Sequence, residues 1–278
     1  MAFEEASMRG ARDGLICTRY TERGAQTIHR PAIREASWVL YVNGQEWVTF
    51  LCTPTKMQAL VLGFLLSEGI IEGLDDVLLL RVCDEEGMID VRLKEEITLP
   101  TRQILTSGCG AGITFDDLSQ IHPPLDSSLT VTPAQVFHLM AELNRRGELY
   151  RTVGGVHTSA LSDGQDLLVI AEDVGRHNTL DKIRGECLLR GIPTADRIIL
   201  TTGRLSSEMM TKTVKMGVPI VISRTAPTDL AVELARRWGI TLIGYVRGRR
   251  MDVYTDRHRI RLPWETGQAE GLRAAGES

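Results

Sequence analysis

The sequence predicts an α/β protein, with a three-layer α/β/α domain over residues 128–278 and a smaller α+β domain over 1–127. Three observations support this. In the second half, Leu167–Ile170, Ile198–Leu200, Ile220–Ile222 and Ile240–Ile243 are unbroken apolar runs of strand length, and stretches of helical spacing separate them. Strands without polar alternation belong to a sheet covered on both faces. In the first half, an Asn-Gly turn lies between two strand-like runs and a proline-started helical stretch follows. Between the halves, Pro123-Pro124 and Asp126-Ser127-Ser128 form a linker-like break.

Taken in order, residues 1–12 read as frayed, and a short strand is expected within Gly14–Tyr20. Trp38–Val42 and Trp47–Leu51 flank Asn43-Gly44, the pair that supplies two positive φ angles to a type I′ hairpin turn. Thr53-Pro54 has the form of a helix start, with threonine as N-cap and proline at the first helical position. Met57, Leu60, Val61, Phe64 and Leu65 continue at helical spacing, and Gly69 closes the helix. Val77–Val82 and Met88–Leu93 are two more strand-like runs. Thr132-Pro133 opens a second capped helix, which turns Val136, Phe137, Met140 and Leu143 inward and stops at Gly147. The later helical stretches are Asn178–Arg190, Ser206–Met216 and Pro227–Trp238, each ended by a glycine. Thr266–Ser278 reads as a disordered tail.

Composition narrows the class. The 278 residues are 43% hydrophobic and 24% charged, as in a soluble globular protein. A net charge of −4 argues against bulk electrostatic binding of nucleic acid. No run is apolar for long enough to cross a bilayer, and the acidic start Phe3-Glu4-Glu5 is unlike a signal peptide. Five widely spaced cysteines, with no CxxC pair, form neither a disulfide framework nor a zinc knuckle. A cytoplasmic protein with reduced thiols, no structural metal and no membrane segment is expected. Cys17, Cys52, Cys83 and Cys187 lie in apolar stretches and read as core residues.

Cys109 is different. It stands in Ser107-Gly108-Cys109-Gly110, with Gly112 two residues on, so no bulky neighbour shields its sulfur. Glycine-rich backbone can aim several N–H groups at one point and favour a thiolate or persulfide anion. The plainer alternative is a tight turn with a buried thiol. Polar clusters follow each apolar run of the second half. They are Glu172-Asp173-Val174-Gly175-Arg176-His177, then Thr202-Gly203-Arg204, then Ser223-Arg224-Thr225, then Tyr245-Val246-Arg247-Gly248-Arg249-Arg250. Sites in such folds gather at the carboxyl ends of strands. Arginines from four connections on one edge make a cradle for a ligand with several phosphates. His157, after Gly154-Gly155, is a candidate to orient an anion or shuttle a proton, or else to cap a helix. Asp173 either holds His177 or caps the helix, and Asp181-Lys182 reads as a solvated pair. No Walker or GxGxxG motif is present.

Together and in order, several of these motifs resemble the formate dehydrogenase accessory sulfurtransferases, the FdhD family, from the hairpin to about Arg261. They are Gly63-Phe64-Leu65-Leu66-Ser67-Glu68-Gly69, the Ser107–Gly110 loop, Gly154-Gly155-Val156-His157, Glu172–Lys182, Thr202-Gly203-Arg204 and Tyr245–Arg250. The resemblance implies a cytidine-deaminase-like α/β/α core and a homodimer. It implies a sulfur carrier that takes persulfide sulfur from a cysteine desulfurase. The sulfur passes to the molybdenum or tungsten bis-molybdopterin guanine dinucleotide cofactor destined for formate dehydrogenase. Cys109 then corresponds to the persulfide carrier and Tyr245–Arg250 to a cofactor-binding segment. His157, Asp173, Arg176, His177, Arg204 and Arg224 complete the expected cradle, for which GDP or GMP is the simplest mimic. Many relatives carry CxxC in the loop where this chain has Gly112, so a single-thiol carrier is implied here.

Two rival readings follow. A zinc deaminase would need H-x-E and P-C-x-x-C, and this chain has His157-Thr158-Ser159 and no PCxxC. A non-catalytic chaperone that binds and delivers the guanine dinucleotide cofactor is the second alternative.

Overall fold

The computed structural model describes residues 10–100, 104–105, 113–114 and 122–262. The chain begins with a long hairpin, β1 (Ala11–Thr21) and β2 (Gly24–Ile33), where only one short strand was expected. β3 (Ala36–Val42) and β4 (Gln45–Cys52) follow around Asn43-Gly44, whose φ angles of 50° and 85° are those the type I′ reading demands. With β5 (Val77–Cys83) and β6 (Met88–Leu93) they form a four-stranded sheet in the order β4-β3-β6-β5. A two-residue ladder, β7 (Ile104–Leu105) with β8 (Ile113–Thr114), brackets the segment that contains Cys109, and Cys109 itself lies outside the described residues.

Six strands make the second sheet: β9 (His157–Ser162), β10 (Leu167–Asp173), β11 (Ile198–Thr201), β12 (Ile220–Ser223), β13 (Thr241–Arg247) and β14 (Arg250–Thr255). Their order is β10-β9-β11-β12-β13-β14. β9 runs antiparallel to both its neighbours, whereas β11, β12 and β13 are parallel. β10 therefore points the same way as β11–β13. Side chains alternate between two cores. Ile199, Val221 and Leu242 face α4 (Arg176–Arg190), α5 (Ser207–Lys215) and α6 (Asp229–Arg237). Ile198, Leu200, Ile220 and Ile222 face α2 (Pro133–Arg146). This is the expected three-layer α/β/α core. A five-residue helix, α3 (Glu148–Thr152), links α2 to β9. No helix among the described residues is long and apolar enough to cross a membrane.

α1 (Met57–Ser67) joins the two sheets, and it starts later than Thr53-Pro54 suggests. Thr53 cannot cap it, because its polar groups are engaged across the junction. Its N–H donates to Asp173 Oδ2 (3.1 Å), its carbonyl accepts from Lys182 Nζ (2.9 Å), and its hydroxyl accepts from the Val174 N–H (3.2 Å). The helix begins instead after Lys56, which adopts φ 54°. Nine of its eleven residues are buried, because one side packs under the four-stranded sheet and the other against α4. Gly63 and Gly185 mark the crossing. A Cβ at Gly63 would stand 1.8 Å from the Asp181 carbonyl oxygen, and one at Gly185 would stand 1.9 Å from that of Ala59. Asp181 and Lys182, expected in solvent, are buried at this junction, and each pairs with a residue other than its neighbour. The cysteines divide: Cys52 and Cys187 are core residues as expected, but Cys17 is exposed on the hairpin and Cys83 half-buried on a sheet edge.

The crossing yields a stability prediction. Overpacking a filled interior costs typically about 1–3 kcal/mol and occasionally more. Here both clashing atoms are backbone, so Gly185→Ala is expected to lose at least about 3 kcal/mol. A urea midpoint within error of wild type would show that the helices can separate freely.

Candidate functional site

The direction of β9 explains how distant motifs meet. Since it runs against β10 and β11, its first residue, His157, lies beside Asp173 at the carboxyl end of β10. The same edge receives the carboxyl ends of β11, β12 and β13, with their loops. Backbone bonds lock these loops together. The Thr202 N–H donates to the Thr158 carbonyl (2.9 Å), that of Arg224 to Thr201 (3.1 Å), and that of Tyr245 to Thr225 (3.1 Å). Beneath them is a chain of buried hydroxyls. Ser159 Oγ lies 2.7 Å from Thr179 Oγ1 and 2.9 Å from Thr201 Oγ1, and Thr201 Oγ1 accepts the Gly203 N–H (3.0 Å). Ser223 Oγ donates to the Gly203 carbonyl (2.7 Å). Gly203 is thus held at both its N–H and its C=O.

His157 and Arg176 converge on that glycine. A Cβ at Gly203 would come within 3.1 Å of Arg176 Cβ and 3.3 Å of His157 Nδ1. Arg176 is the first residue of α4 and is 5% exposed. His177 beside it is 7% exposed, and its Nε2 lies 3.3 Å from Ser206 Oγ, which ties the amino ends of α4 and α5 together. Both imidazoles are pushed toward the neutral form. For His157 the causes are burial and then the Arg176 charge. For His177 they are burial, then Arg176, then Lys212, and its pKa falls to about 3. Glu208 stands 3.7 Å from His177, too far for a hydrogen bond. Around Gly203 the start of α4 thus supplies a buried guanidinium and one neutral imidazole, and the start of β9 supplies the other.

A second group forms around the loop after β12. Arg224 Nη1 donates to Asn144 Oδ1 (3.0 Å), and the Arg224 carbonyl accepts from Arg247 Nε (3.3 Å). Arg247 also stacks 5.9 Å from the Tyr245 ring centroid. Tyr245 has φ 51°, a conformation bulky side chains rarely adopt, at a bulge where the β13–β14 register shifts. The bulge turns Val246 into the core, while Gly248-Arg249 forms the exposed two-residue turn before Arg250. Arg204 is exposed on the loop after β11.

Asp173 does not hold His177. Its Oδ1 accepts from the Gly175 N–H (2.8 Å) and from Asn178 Nδ2 (2.9 Å), so it caps the turn into α4. Its Oδ2 pairs with Lys182 Nζ at 2.6 Å, both side chains being fully buried. Nor does His157 cap a helix, since it opens a strand. Sequence reasoning missed Asn144, Glu208 and Lys212 altogether. Lys212 pairs with Asp181 at 2.6 Å and lies 5.7 Å from the Phe64 ring centroid. Among the described residues, no three potential metal ligands cluster. Burial raises the Cys52 and Cys187 thiols to about 12, so neither is a ready nucleophile.

The chain is similar to known proteins over most of its length. Residues 33–261 match the model of the FdhD/NarQ family. Sulfur carrier protein FdhD of Shouchella clausii is 37% identical over 244 residues, covering 84% of this chain and 91% of that protein. The Bacillus subtilis protein of the same name is 36% identical over 250 residues, covering 87% and 95%. The crystal structure of a proposed formate dehydrogenase accessory protein from Desulfotalea psychrophila superposes with a TM-score of 0.75. It is 27% identical and covers 90% of this chain and 99% of that one.

Two measurements probe the buried charges. Removing one partner of a buried ion pair typically costs about 3–5 kcal/mol, so Asp173→Asn is expected to lose stability on that scale. Asp173→Asn with Lys182→Met should recover part of it, and a double variant as unstable as the sum would argue against the pairing. For His177 the folded state prefers the neutral imidazole, while the unfolded chain takes up a proton below its ordinary value of 6.5. Its contribution is therefore complete above that value and lost as pH falls from about 6.5 toward 3. His177→Gln should flatten the decline in urea midpoint between neutral and mildly acidic pH. An unchanged slope would mean the imidazole titrates freely.

Proposed function

The chain belongs to the FdhD/NarQ family, and on that premise we propose that it is a cytoplasmic single-thiol sulfur carrier in the maturation of formate dehydrogenase. The observation that carries this reading is the convergence of Arg176, Arg204, Arg224 and Arg247 with two neutral imidazoles on one sheet edge. The relatives' name, sulfur carrier protein, supplies the reaction class.

The cargo is read as the molybdenum or tungsten bis-molybdopterin guanine dinucleotide cofactor. Its diphosphates suit guanidinium forks and the first-turn N–H groups of α4 and α5. Neutral His157 and His177 can each donate one N–H and accept one bond, which serves orientation rather than charge. Cys109, between Gly108 and Gly110, is read as the carrier by its correspondence to the family's loop thiol, whereas Cys52 and Cys187 are held protonated in the core. In the first transfer, the Cys109 thiolate attacks the outer sulfur of a cysteine desulfurase persulfide. The S–S bond of the donor breaks, and the desulfurase cysteine leaves as a thiolate. In the second, the terminal sulfur of Cys109 passes to the metal of the cargo. The acceptor supplies the electron pair that makes it a sulfido ligand, and the Cys109 thiolate is restored. The loaded cofactor then goes to formate dehydrogenase. A homodimer is part of this reading.

The test is intact-protein mass spectrometry after incubation with a cysteine desulfurase and cysteine. A gain of one sulfur that maps to Cys109 and vanishes in Cys109→Ala is expected, with GDP binding retained in that variant. A charge-assisted hydrogen bond contributes about 1.5–3 kcal/mol, so Arg204→Ala or Arg224→Ala should weaken GDP roughly 10–100-fold. Cys109→Ala that still activates formate dehydrogenase would instead identify a cofactor chaperone without a sulfur-transfer role.

A further inference from the structure

The β1–β2 hairpin stands away from the body. From Arg12 to Thr27 every residue is exposed, and among the described residues the ribbon meets the rest of the chain only near its base. There Gly10 lies against Leu149 and Ile33 against Gly155, next to the edge that holds His157. A lone two-stranded hairpin is marginally stable in water, so a ribbon this long needs a surface to lie on.

Its register divides the side chains between two faces. Ile16 pairs with His29, Thr18 with Thr27 and Tyr20 with Ala25, and across these three outer pairs the face holds no carboxylate, lysine or arginine. The opposite face carries Arg19 and Arg30. On the first face Ile16 is 71% exposed and Tyr20 80%. The body has a matching feature. A groove of about 200 Å³ runs between edge strand β5 and helices α1 and α4, lined by Gln58, Leu62, Leu74, Leu78, Leu79 and Leu189 among others, with no charged side chain. Leu78 is 65% exposed and Leu79 49%.

We propose that the β1–β2 ribbon is an arm that lays its uncharged face into the β5–α1–α4 groove of a second copy of this chain, with the exchange made reciprocally. This builds on the homodimer in the reading above and is independent of the sulfur chemistry. Area favours reciprocity. Nine paired positions at about 3.4 Å each and a width of about 10 Å give a face of roughly 300 Å². Two such contacts, counted on both partners, bury roughly 1,200 Å², the lower bound for a specific interface, whereas a single contact reaches only the range of crystal packing.

Sedimentation velocity on the full chain over a concentration series tests it. Wild type is expected to dimerise. Ile16→Asp with Tyr20→Asp, and separately Leu78→Asp, should each raise the dimer dissociation constant at least tenfold without moving the melting temperature of the body. A photo-crosslinker at position 20, in mixtures of light and isotope-labelled chains, should mark groove peptides of the other copy. A monomeric wild type would overturn both this proposal and the dimer in the earlier reading. A dimer indifferent to the arm variants would overturn the arm alone. So would crosslinks confined to the same copy, including its residues 263–278, or directed away from the groove.

Discussion

The structure depends on one helix crossing. α1 and α4 approach so closely at Gly63 and Gly185 that no Cβ fits between them, and this contact fixes the four-stranded sheet against the six-stranded one. Close approach alone would leave the surrounding polar groups dry and unmatched. Two buried ion pairs answer that need: Asp173 with Lys182, and Asp181 with Lys212. Lys182 Nζ also donates to the carbonyls of Thr53 and Glu172. Desolvating such pairs costs free energy that the Coulomb term alone seldom offsets, and the extra hydrogen bonds make the balance tolerable. Their value lies in specificity. An α4 rotated or slid by one turn would part both pairs and strand four charges in a dry interface.

This accounts for what could and could not be read from the sequence. The β11–β13 strands, their helices and the Asn43-Gly44 turn were legible, because periodicity and turn chemistry are local properties. Thr53-Pro54 misled, since a threonine–proline pair looks the same whether its threonine caps a helix or binds Asp173 and Lys182 across the chain. Asp181-Lys182 misled for a related reason. Neighbouring opposite charges on a helix suggest a solvated pair, and only the tertiary contact shows that each faces a different partner. β9 was invisible as a strand, so its antiparallel direction could not be foreseen. That direction is what brings His157 to the edge occupied by Arg176.

Within the site, the arginine edge was foreseen from four separate connections, but its supports were not. Thr201 and Ser159 carry no motif, Ser223 stood out only as a member of a polar cluster, and a buried hydroxyl is indistinguishable in sequence from an exposed one. Yet they fix both polar groups of Gly203, and through it the spacing of His157 and Arg176. Tyr245 is similar. Nothing local predicts a positive φ for a tyrosine, and the strain is sustained by the bulge and by its bond to Thr225.

The run Glu172–Lys182 therefore does two kinds of work within eleven residues. Glu172 receives the Leu149 and Tyr150 N–H groups at the start of α3. Asp173 and Lys182 lock the junction, while Arg176 and His177, the first two residues of α4, face the sheet edge. Helical geometry makes this division unavoidable. Residues 177 and 181 share one side of α4, and Arg176 and Lys182 lie on others, so a single rigid helix must present the junction and the site at once. Any force that tilts α4 against α1 moves Arg176 relative to Gly203 by the same rotation. The junction of the two sheets and the placement of Arg176 and His177 are thus one mechanical unit, and the close glycine crossing is what keeps that unit stiff.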